Sequence, residues 1–343
     1  MNKKTAVHIS IYAGIINLAG ILSFFGVDSL IAVAAGIIAA IMLLNLLLQG
    51  LGSYIASSFT VKAWVKQTSS ALLVIFNTFV LVCGFIYVAQ DGMMFFNVHC
   101  PQSREFLSGR PGFREVMFTA ENGRTYHGMM YQATDEKAPL IIYFGGNGEG
   151  SYRHMRMREI QNQWSYFAGF NYLFVDYVGY GLNGGRIHYL NMYEQSLAVF
   201  DYAAALPNVD NSRIVIMGYS LGTGSAVYLA ANRPVAGLIL ATPFARGYDL
   251  YNNVIPIFFG PMRMLVRQKL PSEEFAPYIT CPVLIIASRD DEIIPFSSSE
   301  RLASLFPGYV DFMILDNVRH NDIFQAGEVF GRVQSFLEGI KIK

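Results

Sequence analysis

The chain has 343 residues, 53% hydrophobic and only 15% charged, and its 25 basic and 25 acidic side chains balance to a formal charge of zero. With no Lys/Arg cluster to neutralise a run of phosphates, nucleic-acid binding is excluded as a function, and an aromatic content of 14% excludes disorder. Cys83, Cys100 and Cys281 are too few for a disulfide framework and lack zinc-ligand spacing, although a Cys100–Cys281 bridge stays open.

Charge is scarce at the start. Residues 1–90 carry only Lys3, Lys4, Asp28, Lys62 and Lys66. A bilayer-spanning helix takes about 20 apolar residues, and stretches at about 6–26, 30–51 and 69–89 reach that length. A cleaved signal peptide is the rival for the first stretch. Its apolar run exceeds the roughly 7–15 residues of a signal core, however, and a second run follows at once. The lysines place the N-terminus and residues 52–68 in the cytoplasm under the positive-inside rule. The expectation is a multi-pass integral membrane protein, partnered by the lipid bilayer, with its C-terminal domain on the non-cytoplasmic side. Residues 1–90 form the membrane domain, 91–111 a linker and 112–343 the C-terminal domain.

The pattern changes after the linker. Stretches 115–120 and 124–132 flank Glu121-Asn122-Gly123, a hairpin signal. Short apolar runs follow at 140–144, 172–175, 213–217, 235–240, 283–287 and 310–315, separated by helical stretches. Runs this apolar suit strands covered on both faces by helices. Repeated β–α units predict an α/β fold with a doubly wound, mostly parallel sheet. Such sheets bind ligands at the carboxyl ends of their strands, and the polar clusters of interest fall there.

The segment Gly218-Tyr219-Ser220-Leu221-Gly222 matches GxSxG, after an apolar strand and before a small-residue helix start. A nucleophile elbow needs that context: the turn is so sharp that side chains at Gly218 and Gly222 would clash. The serine then stands at a helix N-terminus, where the dipole favours negative charge. A serine nucleophile needs a base, and the base an orienter. His320 is the only histidine after Ser220, so it is the candidate base by elimination. His8, His99, His127, His154 and His188 read as interfacial, surface or hydrogen-bonding groups. The carboxylate is sought after the preceding strand among Asp290, Asp291 and Glu292; Asp291 is favoured by its spacing to Ile294-Pro295, with Asp290 the runner-up. An oxyanion hole takes two backbone N–H groups. Leu221 supplies one, and the glycine-rich loop 145–150 after the strand at 140–144 supplies the other. No Gly-Lys-Ser/Thr follows that loop, which argues against a phosphate-binding loop.

These residues resemble the α/β-hydrolase family, and more closely its membrane-anchored domain-containing branch, which holds lysophospholipid lipases and protein depalmitoylases. The likeness covers about 112–340. It rests on GGNGEG (145–150), DYVGYGLNGG (176–185), GYSLGTG (218–224), TPF (242–244), RDDEIIPF (289–296) and RHNDIF (319–324). The resemblance implies an α/β-hydrolase fold, an eight-stranded mostly parallel sheet flanked by helices. It also implies Ser220 as nucleophile, Asp291 and His320 as its partners, and Asn147 and Leu221 as oxyanion donors. Two positions depart from the family pattern. Gly145 stands where a histidine is usual, which loosens the expected oxyanion loop, and Val178 replaces an arginine of a structural ion pair.

The aromatic and Met-rich stretch at about 245–280 reads as a partial cap shaping an acyl pocket, or else as ordinary helices packed on the sheet. The function expected is a serine hydrolase cleaving an ester or thioester of an acylated lipid or acyl-protein through an acyl-enzyme, with no metal or organic cofactor. The alternative is a catalytically inactive hydrolase-fold membrane scaffold or binding protein, whose signature, a missing triad member, is not present.

Overall fold

The hairpin forms around Glu121-Asn122-Gly123. In the computed structural model, β1 (Phe113–Thr119) and β2 (Thr125–Tyr131) pair antiparallel, and Gly123 takes the φ of 77° that the turn requires. The structure describes residues 63–96, 101–254 and 256–341. The chain divides into two units, Met1–Met93 and Met94–Lys343.

In the second unit six further strands follow: β3 (Ala138–Phe144), β4 (Asn171–Val175), β5 (Val209–Tyr219), β6 (Gly237–Ala241), β7 (Val283–Ser288) and β8 (Val310–Leu315). They join the hairpin in one eight-stranded sheet of order β1-β2-β4-β3-β5-β6-β7-β8. β2 meets β4 antiparallel, and every later pair is parallel. The expected α/β sheet is therefore present. β3, β4, β6 and β7 are buried along their whole length, as continuous apolar runs between two helical layers must be.

The period-two alternation of a strand divides the core. Leu140, Ile142 and Phe144 point to one layer, with Met192 and Val199 of α4 (Tyr189–Ala204) and Ala226 and Leu229 of α5 (Gly222–Asn232). Ile141 and Tyr143 point to the other, with Met155 of α3 (Ser151–Ile160) and Val329, Val333 and Leu337 of α9 (Gly327–Lys341). The four-residue steps from Val329 to Leu337 put one stripe of α9 against the sheet. The register aligns Phe144 with Gly218, Tyr219 with Ala241, and Ser288 with Leu315. The loops that follow these strands thus leave the same edge of the sheet.

Between β6 and β7 lie α6 (Gly247–Val254), a 3₁₀ turn (Gly260–Leu265) and the short α7 (Ser272–Phe275). Leu250, Tyr251, Phe258, Val266 and Leu270 are buried there, while Phe259 and Met264 are exposed. The remaining helices of this unit are α2 (Pro101–Leu107), before the hairpin, and α8 (Phe296–Ala303), between β7 and β8.

The membrane expectation is overturned. Among the described residues no helix is long and apolar enough to cross a membrane. The helix α1 (Ala63–Met94) is long, but Lys66 and Gln67 stand near its start and Asp91 near its end. Asn77 and Thr78 interrupt its apolar sequence. Asn77 is itself buried, with Leu72, Ile75 and Phe76 exposed around it. The multi-pass localisation, with its bilayer partner and non-cytoplasmic catalytic domain, is withdrawn on this finding. The spans expected at 6–26 and 30–51 lie outside the described residues, as does Cys100; Cys281 is a free thiol.

Candidate active site

Ser220 has φ 49°, a left-handed conformation that costs a non-glycine residue on the order of 1–2 kcal/mol. The strain is held from both sides. Its N–H donates to Ala241 O at 2.9 Å, and α5 begins at once, with Leu221 as N-cap. The flanking glycines are sterically required: a Cβ on Gly218 would lie 2.8 Å from Ala226 Cβ and from Thr223 Cα, and one on Gly222 would run into the Phe144 carbonyl. The hydroxyl is thereby fixed at the carboxyl end of β5, in a site where Ser220 is 6% exposed.

His320 opens the 3₁₀ turn after β8 and is 2% exposed. Its Nε2 lies 2.8 Å from Ser220 Oγ, and its Nδ1 lies 2.8 Å and 3.0 Å from the two oxygens of Asp291. Asp291 Oδ1 also accepts the backbone N–H groups of Ile293 and Ile294, which fixes the carboxylate before the imidazole meets it. The two neighbouring acids have other partners. Asp290 accepts from Asn317 N–H at 2.7 Å. Glu292 accepts from His320 N–H at 3.0 Å and pairs with Arg319, and those contacts hold its carboxyl below its ordinary range, led by the His320 N–H. Tyr219 stacks beside the imidazole at 5.6 Å between centroids and donates to His320 O.

The loop after β3 approaches the same hydroxyl. A Cβ on Gly146 would lie 3.7 Å from Ser220 Cβ. Gly146 N–H donates to Glu149 Oε2 at 2.8 Å, which commits it to a carboxylate. The Asn147 side-chain oxygen accepts from Tyr180 OH at 2.7 Å and from Phe96 N–H at 3.1 Å, and Tyr177 OH donates to Gly145 O. The loop is therefore tightly braced, against the looser loop expected from Gly145. A side chain at Gly145 would collide with Phe174 and Glu149, so the glycine makes room for the brace. At the second departure from the family pattern, Val178 is buried, and the neighbouring Asp176 accepts Ser151 N–H and Oγ–H instead.

Sequence reasoning missed the centre of that brace. His154, read as a surface or hydrogen-bonding group, is buried and hydrogen-bonded. Its Nδ1 lies 2.5 Å from Glu149 Oε1, and its Nε2 receives the Arg158 Nε–H at 2.7 Å. Because Nε of Arg158 can only donate, the His154 proton sits on Nδ1 and points at Glu149. Burial, aided by the Arg158 charge, pushes His154 down to about 4. Burial works to raise Glu149, but the His154 contact and the Gly146 and Tyr143 hydrogen bonds outweigh it and hold the carboxyl below its ordinary value. The signal was present as Glu149, His154 and Arg158, the last two one helical turn apart on α3.

The sheet order and the serine-bearing turn define the class of protein. The dienelactone hydrolase family model matches residues 190–314. An uncharacterized protein of Mycobacterium tuberculosis is 30% identical over 243 residues, covering 70% of this chain and 84% of that one. The α/β hydrolase domain-containing protein aho-3 of Caenorhabditis elegans is 29% identical over 163 residues, covering 48% of this chain and 47% of its own. Among solved structures, a Pyrococcus furiosus esterase matches with TM-score 0.56 at 18% identity, covering 71% of this chain and 95% of that one. The acetyl xylan esterase of a Paenibacillus species gives 0.53 at 16%, covering 70% and 92%; at these identities the structures show the fold. The chain belongs to the α/β-hydrolase family, as an ester-cleaving serine hydrolase of that type.

Proposed function

We propose that the hydrolase works through Ser220, His320 and Asp291, on an ester or thioester of an acyl group. The observation that carries this is one imidazole within 2.8 Å of both Ser220 Oγ and an Asp291 oxygen. His320 Nε2 takes the hydroxyl proton as Oγ attacks the acyl carbon. The carbonyl oxygen becomes an oxyanion, held by the backbone N–H groups of Asn147 and Leu221. The carbonyl re-forms, the bond to the leaving oxygen or sulfur breaks, and Nε2 returns the proton to that atom. Water then repeats the sequence on the acyl-enzyme, with the same nitrogen as base. Asp291 keeps the second proton on Nδ1 and so presents Nε2 as the acceptor.

The segment 245–280 acts as a partial cap shaping the acyl side of the site. Asn253 ties it to the loop after Asp291 by donating to Ile293 O at 3.0 Å, and the exposed Phe259 and Met264 offer apolar surface for an acyl chain. A fluorophosphonate probe tests the reading: the wild type is labelled and turns over p-nitrophenyl butyrate, and Ser220→Ala does neither. A folded wild type that takes no label would return the chain to the inactive-scaffold alternative.

A further inference from the structure

Beside the serine–histidine pair lies a cavity of about 340 Å³ that the reaction above leaves unused. Asn147 and Tyr219 form its wall toward the site, and α3 contributes Arg153 and Arg158. Asn321, directly after His320, stands at its rim.

The lining carries two cations and one acid, and the acid is already engaged. Both Glu149 oxygens accept hydrogen bonds, from His154 on one side and from Gly146 N–H and Tyr143 OH on the other. Arg158 is 4% exposed. Its Nε donates to His154 and its Nη1 to Gln163 Oε1, and its guanidinium packs over the Tyr172 ring. Arg153 lines the same cavity at the protein surface, with no hydrogen bond or ion pair to any described residue. A planar cation fork matches a carboxylate or phosphate.

We propose that this cavity is a subsite for an anionic group, carboxylate or phosphate, on the alcohol portion of the ester, held by Arg158 and Arg153. The alcohol side follows from proton transfer. The leaving oxygen takes its proton from His320 Nε2, and Asn321, Phe324 and Gln325 of the turn that His320 opens line the cavity. The inference rests on the serine-hydrolase reading.

Two matched pairs of butyryl esters test it: those of glycerol and glycerol 3-phosphate, and those of ethylene glycol and glycolate. Wild type hydrolyses the anionic member of at least one pair about tenfold better in kcat/KM than its neutral partner, chiefly through KM. The pair that shows the preference names phosphate or carboxylate. Arg153→Gln brings the anionic-to-neutral ratio back toward one, and Arg158→Lys lowers it by keeping the charge while losing the fork. A wild-type ratio near one in both pairs overturns the subsite, as does a ratio that Arg153→Gln leaves unmoved. Calorimetric binding of glycerol 3-phosphate and of glycolate to Ser220→Ala protein needs no turnover. If none of the four esters is hydrolysed and the probe does not label, the serine-hydrolase reading fails. The calorimetry then decides the subsite by itself: binding abolished by Arg153→Gln upholds the anion site, and no binding to the parent protein overturns it.

Discussion

Two buried histidines of this molecule each present Nδ1 to a carboxylate, His320 to Asp291 and His154 to Glu149. They differ in what faces the other ring nitrogen. Nε2 of His320 meets a serine hydroxyl, a group that can give up a proton and take one back. Nε2 of His154 meets Arg158 Nε–H, with Tyr172 OH at 3.0 Å, and a guanidinium neither loses its proton nor accepts another. A carboxylate–imidazole pair is therefore not by itself catalytic; the group on the far nitrogen decides whether it relays protons or only braces the backbone. Here both pairs flank one site, the first beside Ser220 and the second beneath the loop that approaches it.

The same isosteric change made in each pair separates the two roles most sharply. Asp291→Asn removes the acceptor that holds the His320 proton on Nδ1, so kcat on p-nitrophenyl butyrate falls on the order of 10⁴-fold, with little change in the urea midpoint. Glu149→Gln inverts the pattern. An amide oxygen replaces a carboxylate that accepts from Gly146 N–H, Tyr143 OH and His154, and stability falls by roughly 1–3 kcal/mol. Its kcat loss is much the smaller of the two. Comparable losses of kcat in both variants would erase the distinction.

Acid stability probes the brace alone. His154 titrates near 4 in the folded chain against an ordinary 6.5. Above pH 6.5 it is neutral in both states. Between 6.5 and about 4 the unfolded chain binds a proton that the folded chain refuses, so stability falls as pH falls across that window, by up to roughly 3 kcal/mol. Glu149, held below its ordinary 4.5, adds loss of the same sign at lower pH. Urea titrations at pH 7 and 5 should show the decline in wild type, and His154→Gln should flatten it. An equally steep decline in that variant would move the effect elsewhere.

The contrast between the pairs also tracks what the sequence made legible. Gly218, Ser220 and Gly222 announce themselves because a left-handed serine between two glycines has a steric cause that spacing alone conveys. His320 is the candidate base by elimination and lies beside Ser220, and the strands could be found because two-sided burial writes itself as apolar runs. The His154 brace left no such mark. Its partners are Tyr143, Gly146 and Tyr172, brought in by sheet register and loop path, and a polar helix such as α3 looks solvated until its Tyr152, Met155 and Arg158 prove to be buried. The N-terminal reading failed for the opposite reason. Composition averaged over 69–89 hides Asn77 and Thr78, whose amide and hydroxyl divide the apolar stretch.

The smallest expected effect lies one residue from the largest. Asp290 and Asp291 are adjacent acids on one loop, yet Asp291 Oδ1 accepts two backbone N–H groups besides facing the imidazole, whereas Asp290 reaches only Asn317 N–H. Asn317 occupies a left-handed turn at φ 58°, a conformation asparagine tolerates, so the turn keeps its shape with a neutral partner in place of the carboxylate. Asp290→Asn retains an acceptor oxygen for that N–H and removes only an exposed charge. It should change kcat by less than about twofold and stability by less than about 0.5 kcal/mol. A loss with Asp290→Asn as large as that with Asp291→Asn would mean that the loop exchanges its two carboxylates at the imidazole, and that the backbone hydrogen bonds to Asp291 do not select between them.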